Sequence, residues 1–145
     1  MGIRLTESEF NRLTNQNAAS RQFQNNKYHN KRICINGIKF DSQCEYERYA
    51  ELKLLERTNV ISNLRYHDKS DVIILLEDPP VKYEPDFCYI DNTTGKLVIE
   101  DTKGVQTKEF IIKKKMILAK IKSGELNASF VISKKQNGKF IVIPQ

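Results

Sequence analysis

Residues 32–57 constrain the fold more than any other stretch. Ile33, Ile35, Ile38 and Phe40 surround Asn36-Gly37, a dipeptide suited to the positive φ angles of a tight hairpin turn, so two short antiparallel strands are expected there. Asp41 or Ser42 then offers a helix cap, and Gln43 to Arg57 contains no Gly or Pro and many good helix formers. A helix is expected across that span, ended by Asn59. A hairpin leading straight into a helix commits the chain to a mixed architecture.

The rest of the chain extends that pattern. Apolar or β-branched runs at Val60 to Tyr66 and Asp71 to Leu76 read as strands, before Asp78-Pro79-Pro80 forces a loop. Tyr83 to Ile90 and Lys96 to Lys103 read as two more, paired antiparallel across the polar turn Asp91 to Gly95. Thr107 opens a second helix carrying Phe110, Ile111, Met116, Ile117, Leu118 and Ile121, and Ser123-Gly124 closes it. Ala128 to Ser133 and Phe140 to Ile143, around Gln136-Asn137-Gly138, form a last pair of strands. The fold class expected is α/β of the mixed α+β kind, a central mixed sheet flanked by helices. Residues 1–28 are rich in Asn, Gln, Ser and Arg, and their apolar residues are too sparse to define a core face, so they read as an arm before a domain at 29–145. Thr6 and Glu9 fit a capping box for a short helix from Glu7 to Asn15 within it.

Composition bounds the partners. A hydrophobic fraction of 39% is enough for a globular core and too much for a disordered chain. Lys and Arg total 24 against 18 Asp and Glu, and the formal charge of +6 favours a polyanion such as nucleic acid or simply a basic, soluble surface. Cys34, Cys44 and Cys88 have neither the spacing of a zinc site nor the density of a disulfide scaffold, which leaves reduced thiols. No stretch has signal-peptide character or the ~20 apolar residues that cross a bilayer, so no membrane partner and a cytoplasmic location are expected.

Chemistry concentrates in two segments, Glu84-Pro85-Asp86-Phe87 and Ile99-Glu100-Asp101-Thr102-Lys103-Gly104. Strand side chains alternate, so Asp101 and Lys103 share one face while Glu100 and Thr102 take the other. Asp86, on the neighbouring strand, can bring a second carboxylate within reach of one ion. Phosphodiester hydrolysis needs a hard cation to hold the phosphate, and Mg²⁺ is bound by one or two carboxylates plus water and substrate, with Mn²⁺ the natural substitute. A lysine beside them can orient or deprotonate the attacking water. Glu45 lies on the helical stripe of Tyr49, Leu52 and Leu55, where a carboxylate faces protein; it is either a further metal ligand or the partner of Arg48. Only two histidines, His29 and His67, are present, and no Cys-His or Ser-His-Asp grouping is visible.

With Asn26-Lys27-Tyr28, Gly37-Ile38-Lys39-Phe40-Asp41-Ser42, Glu45, Tyr49-Ala50-Glu51-Leu52-Lys53-Leu54-Leu55, Asp86-Phe87 and Glu100-Asp101-Thr102-Lys103-Gly104, residues 26–121 resemble a phage and prophage family of the PD-(D/E)XK nuclease superfamily. Its members are described as endonucleases or Holliday-junction resolvases. The resemblance implies a restriction-endonuclease-like fold, with the superfamily's helix acid at Glu45, its first-motif Asp at Asp86, and its second-motif acid and lysine at Asp101 and Lys103. Asp101 stands where Glu is commoner, which shortens the ligand by one methylene and keeps its charge.

The expected function is a metal-dependent DNA endonuclease, structure-specific or weakly sequence-specific, acting in phage recombination, replication or packaging. Lys113, Lys114 and Lys120 on the second helix, with Lys108, Lys115 and Lys122, either lie along a phosphate backbone or form a solvated face. Lys27, Lys31 and Arg32, beside Tyr28 and His29, suit a flexible nucleic-acid contact. A homodimer is expected because two strands must be cut to resolve a junction. The alternative is a catalytically silent module on the same fold that engages DNA or a host protein.

Overall fold

The structure, a computed structural model, describes residues 22–24 and 32–145. The expected Glu7 to Asn15 helix, Lys27, Tyr28, His29 and Lys31 lie outside the described residues. Contacts divide the chain into two compact units, 1–46 and 47–145.

The first unit holds a three-stranded antiparallel sheet of β1 (Gln22–Gln24), β2 (Arg32–Ile35) and β3 (Ile38–Phe40), in that order. Asn36 and Gly37 take φ of 52° and 78°, both values a two-residue hairpin of this hand requires. β1 falls in the expected arm, where so few apolar residues give a three-residue strand no pattern to be read from. Helix α1 (Gln43–Arg57) starts in this unit, and the Ser42 hydroxyl caps it by accepting from Glu45 N at 3.1 Å.

The second unit is built on a five-stranded sheet in the order β10-β9-β8-β7-β4. Its strands are β4 (Ile61–Tyr66), β7 (Phe87–Asp91), β8 (Lys96–Thr102), β9 (Ala128–Gln136) and β10 (Lys139–Pro144). β8 and β9 run parallel and the other three pairs antiparallel. A parallel pair needs a long crossover, and helix α2 (Lys108–Lys122) supplies it. Thr107 caps that helix by accepting from Phe110 N at 3.2 Å. Strands β5 (Ile73–Leu76) and β6 (Val81–Tyr83) make a separate two-stranded ribbon, reached through a 3₁₀ turn at Lys69–Asp71.

Two apolar clusters cover the two faces of the larger sheet. Ile99 and Ile132 belong to one, with Phe110 and Ile117 of α2; Val98 and Val131 belong to the other, with Leu52 of α1. Successive strand residues point to opposite faces, which is why neighbours in sequence join different clusters. β7 and β8 are interior strands buried on both faces, and β8 buries the polar Glu100, Asp101 and Thr102 as well as Val98 and Ile99. The mixed α/β architecture and the sheet flanked by helices are thus as expected.

One expected strand is divided. Tyr83 to Ile90 is not the continuous strand expected: β6 ends at Tyr83 and β7 begins at Phe87 in a different sheet. Pro85 lacks a backbone N–H to donate to a ladder and restricts the residue before it, so the chain leaves one sheet at Glu84 and enters the other after Asp86. Asp71, expected in a strand, instead ends the 3₁₀ turn, its carboxylate held by Arg65 Nε at 2.7 Å and Nη2 at 2.8 Å. Among the described residues no helix is long and apolar enough to cross a membrane.

Candidate active site

Asp101 sits near the end of β8, in register with Ile132 of the parallel neighbour, and is 2% exposed. The Tyr83 hydroxyl donates to its Oδ2. Burial, reinforced by the Asp101 charge, pushes the Tyr83 hydroxyl far above the ordinary phenol range, so Tyr83 remains a donor at neutral pH. Oδ1 of Asp101 is ion-paired with Lys103 Nζ at 2.9 Å. The Lys103 ammonium also lies 5.3 Å from the centre of the Phe110 ring, a cation–π distance, and its backbone N–H donates to Ser133 O at 3.1 Å.

Asp86 follows the buried Pro85 and is itself 5% exposed. Its Oδ2 accepts from Thr102 N at 2.7 Å, which places the carboxylate against the peptide joining Asp101 to Thr102. His67 N donates to Asp86 O at 3.0 Å, and His67 Nε2 lies 3.6 Å from Asp86 Oδ1. His67 has a φ of 43°, unusual for a residue with a side chain, and the 3.0 Å backbone bond is formed there. Thr102 turns the other way, its hydroxyl 3.0 Å from that of Ser133.

Behind the site, on the α1 face, Glu100 is fully buried and carries three hydrogen bonds. Arg48 Nε and Nη2 donate at 2.5 and 3.1 Å, and the Tyr89 hydroxyl donates at 2.7 Å. Burial lowers the proton affinity of the Arg48 guanidinium, but the bond and charge of Glu100 more than offset it and leave it raised. Arg48 also reaches Glu51 at 2.8 Å and stacks 5.6 Å from the Phe140 ring.

Asp101 and Lys103 open into a cleft of about 810 Å³. The 3₁₀ turn, β6 and the residue after it bring Lys69, Lys82 and Glu84 to its lining; the loop after β8 and the first turns of α2 bring Thr107, Glu109 and Lys113. Asp86 is not among the lining residues. A family model matches residues 25–138, most of the chain.

The chain belongs to the DUF1064 family.

That family is described as a protein of unknown function. No curated protein and no solved structure matches the chain. The DUF1064 match takes in Glu45, Asp86, Asp101 and Lys103 together with the cleft.

Of the residues expected to carry chemistry in this DUF1064 chain, Asp101 and Lys103 are brought into contact, and Asp86 reaches the same stretch of backbone. Glu45 stands half-buried in the first turn of α1, within the first unit. Arg48, its expected alternative partner, goes to Glu100 and Glu51. Lys113 pairs with Glu109 at 2.9 Å and lines the cleft. Lys114 donates to Gln106 and Gln145 at 3.1 and 3.0 Å, and Lys120 pairs with Glu125. Arg32 makes an exposed pair with Asp41 at 3.4 Å. Tyr83, His67, Lys69 and Lys82 entered none of the expectations as site residues. Tyr83 had a legible cue, a tyrosine at a strand end beside Glu-Pro-Asp, but its meeting with Asp101 depends on how two sheets adjoin.

Proposed function

We propose that this chain is a divalent-metal-dependent endonuclease of the PD-(D/E)XK type, with a restriction-endonuclease-like sheet, hydrolysing phosphodiester bonds in DNA. The observation that carries the reading is the buried Asp101 near the end of β8, ion-paired with Lys103 just past that strand, with the Asp86 carboxylate bonded to the peptide that follows Asp101.

The donor set fits a hard cation. Two buried carboxylates are hard oxygen ligands, and the Oδ1 of Asp101 is met only by the Lys103 ammonium at the cleft. Asp86 and Asp101 would hold Mg²⁺ or Mn²⁺, which when bound supplies charge neutralisation at the phosphate and a more acidic water. The chain's own groups act around that. Tyr83 holds Asp101 Oδ2 and so fixes the carboxylate's rotation. Lys103, one-third exposed at the cleft, presents an ammonium that orients a water or meets charge developing on a phosphoryl oxygen. Phe110 under that ammonium restricts where it can swing.

Incubation with duplex, single-stranded and four-way-junction DNA, in Mg²⁺, Mn²⁺ or chelator, tests the reading. Wild-type protein is expected to give products only with metal, and Asp86→Asn and Asp101→Asn none. Products in chelator, or undiminished cutting by folded variants, would overturn it.

A further inference from the structure

The walls of the cleft carry charges that the reacting groups do not use. Lys103 is paired with Asp101 and Lys113 with Glu109, whereas Lys69 and Lys82 stand exposed on the 3₁₀ turn and on β6. Val72, Tyr83, Val105 and Phe110 line the same space, and Val105 is 82% exposed. The N-terminus of α2 lines the same cleft, and its first N–H groups and dipole favour a negative ligand. Glu84 and Glu109 line the cleft too, but Lys113 pairs with Glu109, and Lys69 and Lys82 outnumber Glu84; with a helix N-terminus and apolar surface this matches the chemistry of a polyanion with flat apolar rings. Base stacking on apolar and aromatic side chains, with a backbone tracked by lysines, is how single strands are held without sequence preference.

Size selects between the forms of such a polymer. A cleft of about 810 Å³ falls within the ~300–1,000 Å³ typical of small-molecule pockets, room for a short stretch of one strand but not for a double helix to enter. We infer that the cleft binds one unpaired strand of nucleic acid, with Lys69 and Lys82 holding phosphates beside the one presented to Asp101 and Lys103. The inference rests on the nuclease reading for the identity of its occupant. It makes the β5–β6 ribbon and its 3₁₀ turn the part of the fold that selects single-stranded ends, gaps or flaps over intact duplex.

Fluorescence anisotropy of a labelled single-stranded oligonucleotide, titrated in chelator at several salt concentrations, tests it with the full chain. Each lysine–phosphate contact on a single strand contributes about 0.7 to the slope of log affinity against log salt. Lys69→Ala/Lys82→Ala is therefore expected to shallow the slope by about 1.4 and to weaken binding severalfold. Lys96→Ala/Lys139→Ala, exposed residues on β8 and β10 outside the cleft, should leave the slope unchanged. Duplex of the same sequence should bind more weakly. A wild-type slope in the Lys69/Lys82 variant, or equal affinity for duplex, would overturn the inference while Mg²⁺-dependent cutting by wild type still upheld the nuclease reading. Wild type that binds the strand with the expected slope but cuts no DNA in Mg²⁺ would instead sink that reading and leave the strand site standing.

Discussion

The Tyr83 hydroxyl ends on Asp101 with both groups buried, so deleting it leaves a carboxylate oxygen inside the protein with one donor fewer. Tyr83→Phe should cost about 1.5–3 kcal/mol, the range for a hydrogen bond to a charged group, read as a lower urea midpoint at pH 7. An unchanged midpoint would show that this bond does not hold the site. Cys88 offers a second residue-level test. Burial, with the Asp71 charge adding to it, pushes its thiol up to about 12, whereas Cys34 and Cys44 are only half-buried. Iodoacetamide at pH 8 should therefore label Cys34 and Cys44 in the folded protein and reach Cys88 only after denaturation; early labelling of Cys88 by mass spectrometry would contradict its burial. Asp101 and Lys103 were legible from the chain alone because period two is a property of any strand. Tyr83 and His67 were not, since Tyr83 gains its meaning from a residue in another sheet and His67 from the residue just before β7.

At the scale of elements, α1 is tied to β8 by Arg48 and Glu100, two buried charges that neutralise each other. Removing one partner leaves the other uncompensated, so Arg48→Met should destabilise by about 3–5 kcal/mol, whereas Arg48→Met/Glu100→Leu/Tyr89→Phe should recover most of it. A triple variant no more stable than Arg48→Met would show that the network does more than satisfy itself. The hairpin at Asn36-Gly37, both helices and the β9–β10 turn followed from local rules, because turn dipeptides, caps and helix formers act over a few residues. The division at Glu84-Pro85-Asp86 did not. Apolar residues on both sides of the proline gave one unbroken strand pattern, and only the change of sheet shows that the proline ends a strand.

For the molecule as a whole, three buried protons set the alkaline limit of stability. Tyr83, Tyr89 and Cys88 are all raised, burial first in each case, so the folded state keeps protons that the unfolded chain releases. Their contribution is full below the unfolded values, about 8.5 for a thiol and about 10 for a phenol, and is lost as pH rises past them. Urea stability should hold level to about pH 8, fall by up to about 1.4 kcal/mol per pH unit through Cys88, and fall more steeply above 10. A profile flat to pH 11 would contradict that burial. Catalysis is the larger claim, and Lys103 tests it most directly, because its ammonium reaches the cleft and its removal leaves both carboxylates in place. In single-turnover cleavage of DNA in Mg²⁺, Lys103→Ala should fold and bind Mn²⁺ as wild type does, yet cut at least about 100-fold more slowly. Cutting at the wild-type rate by that variant, or none by wild type, would contradict the account.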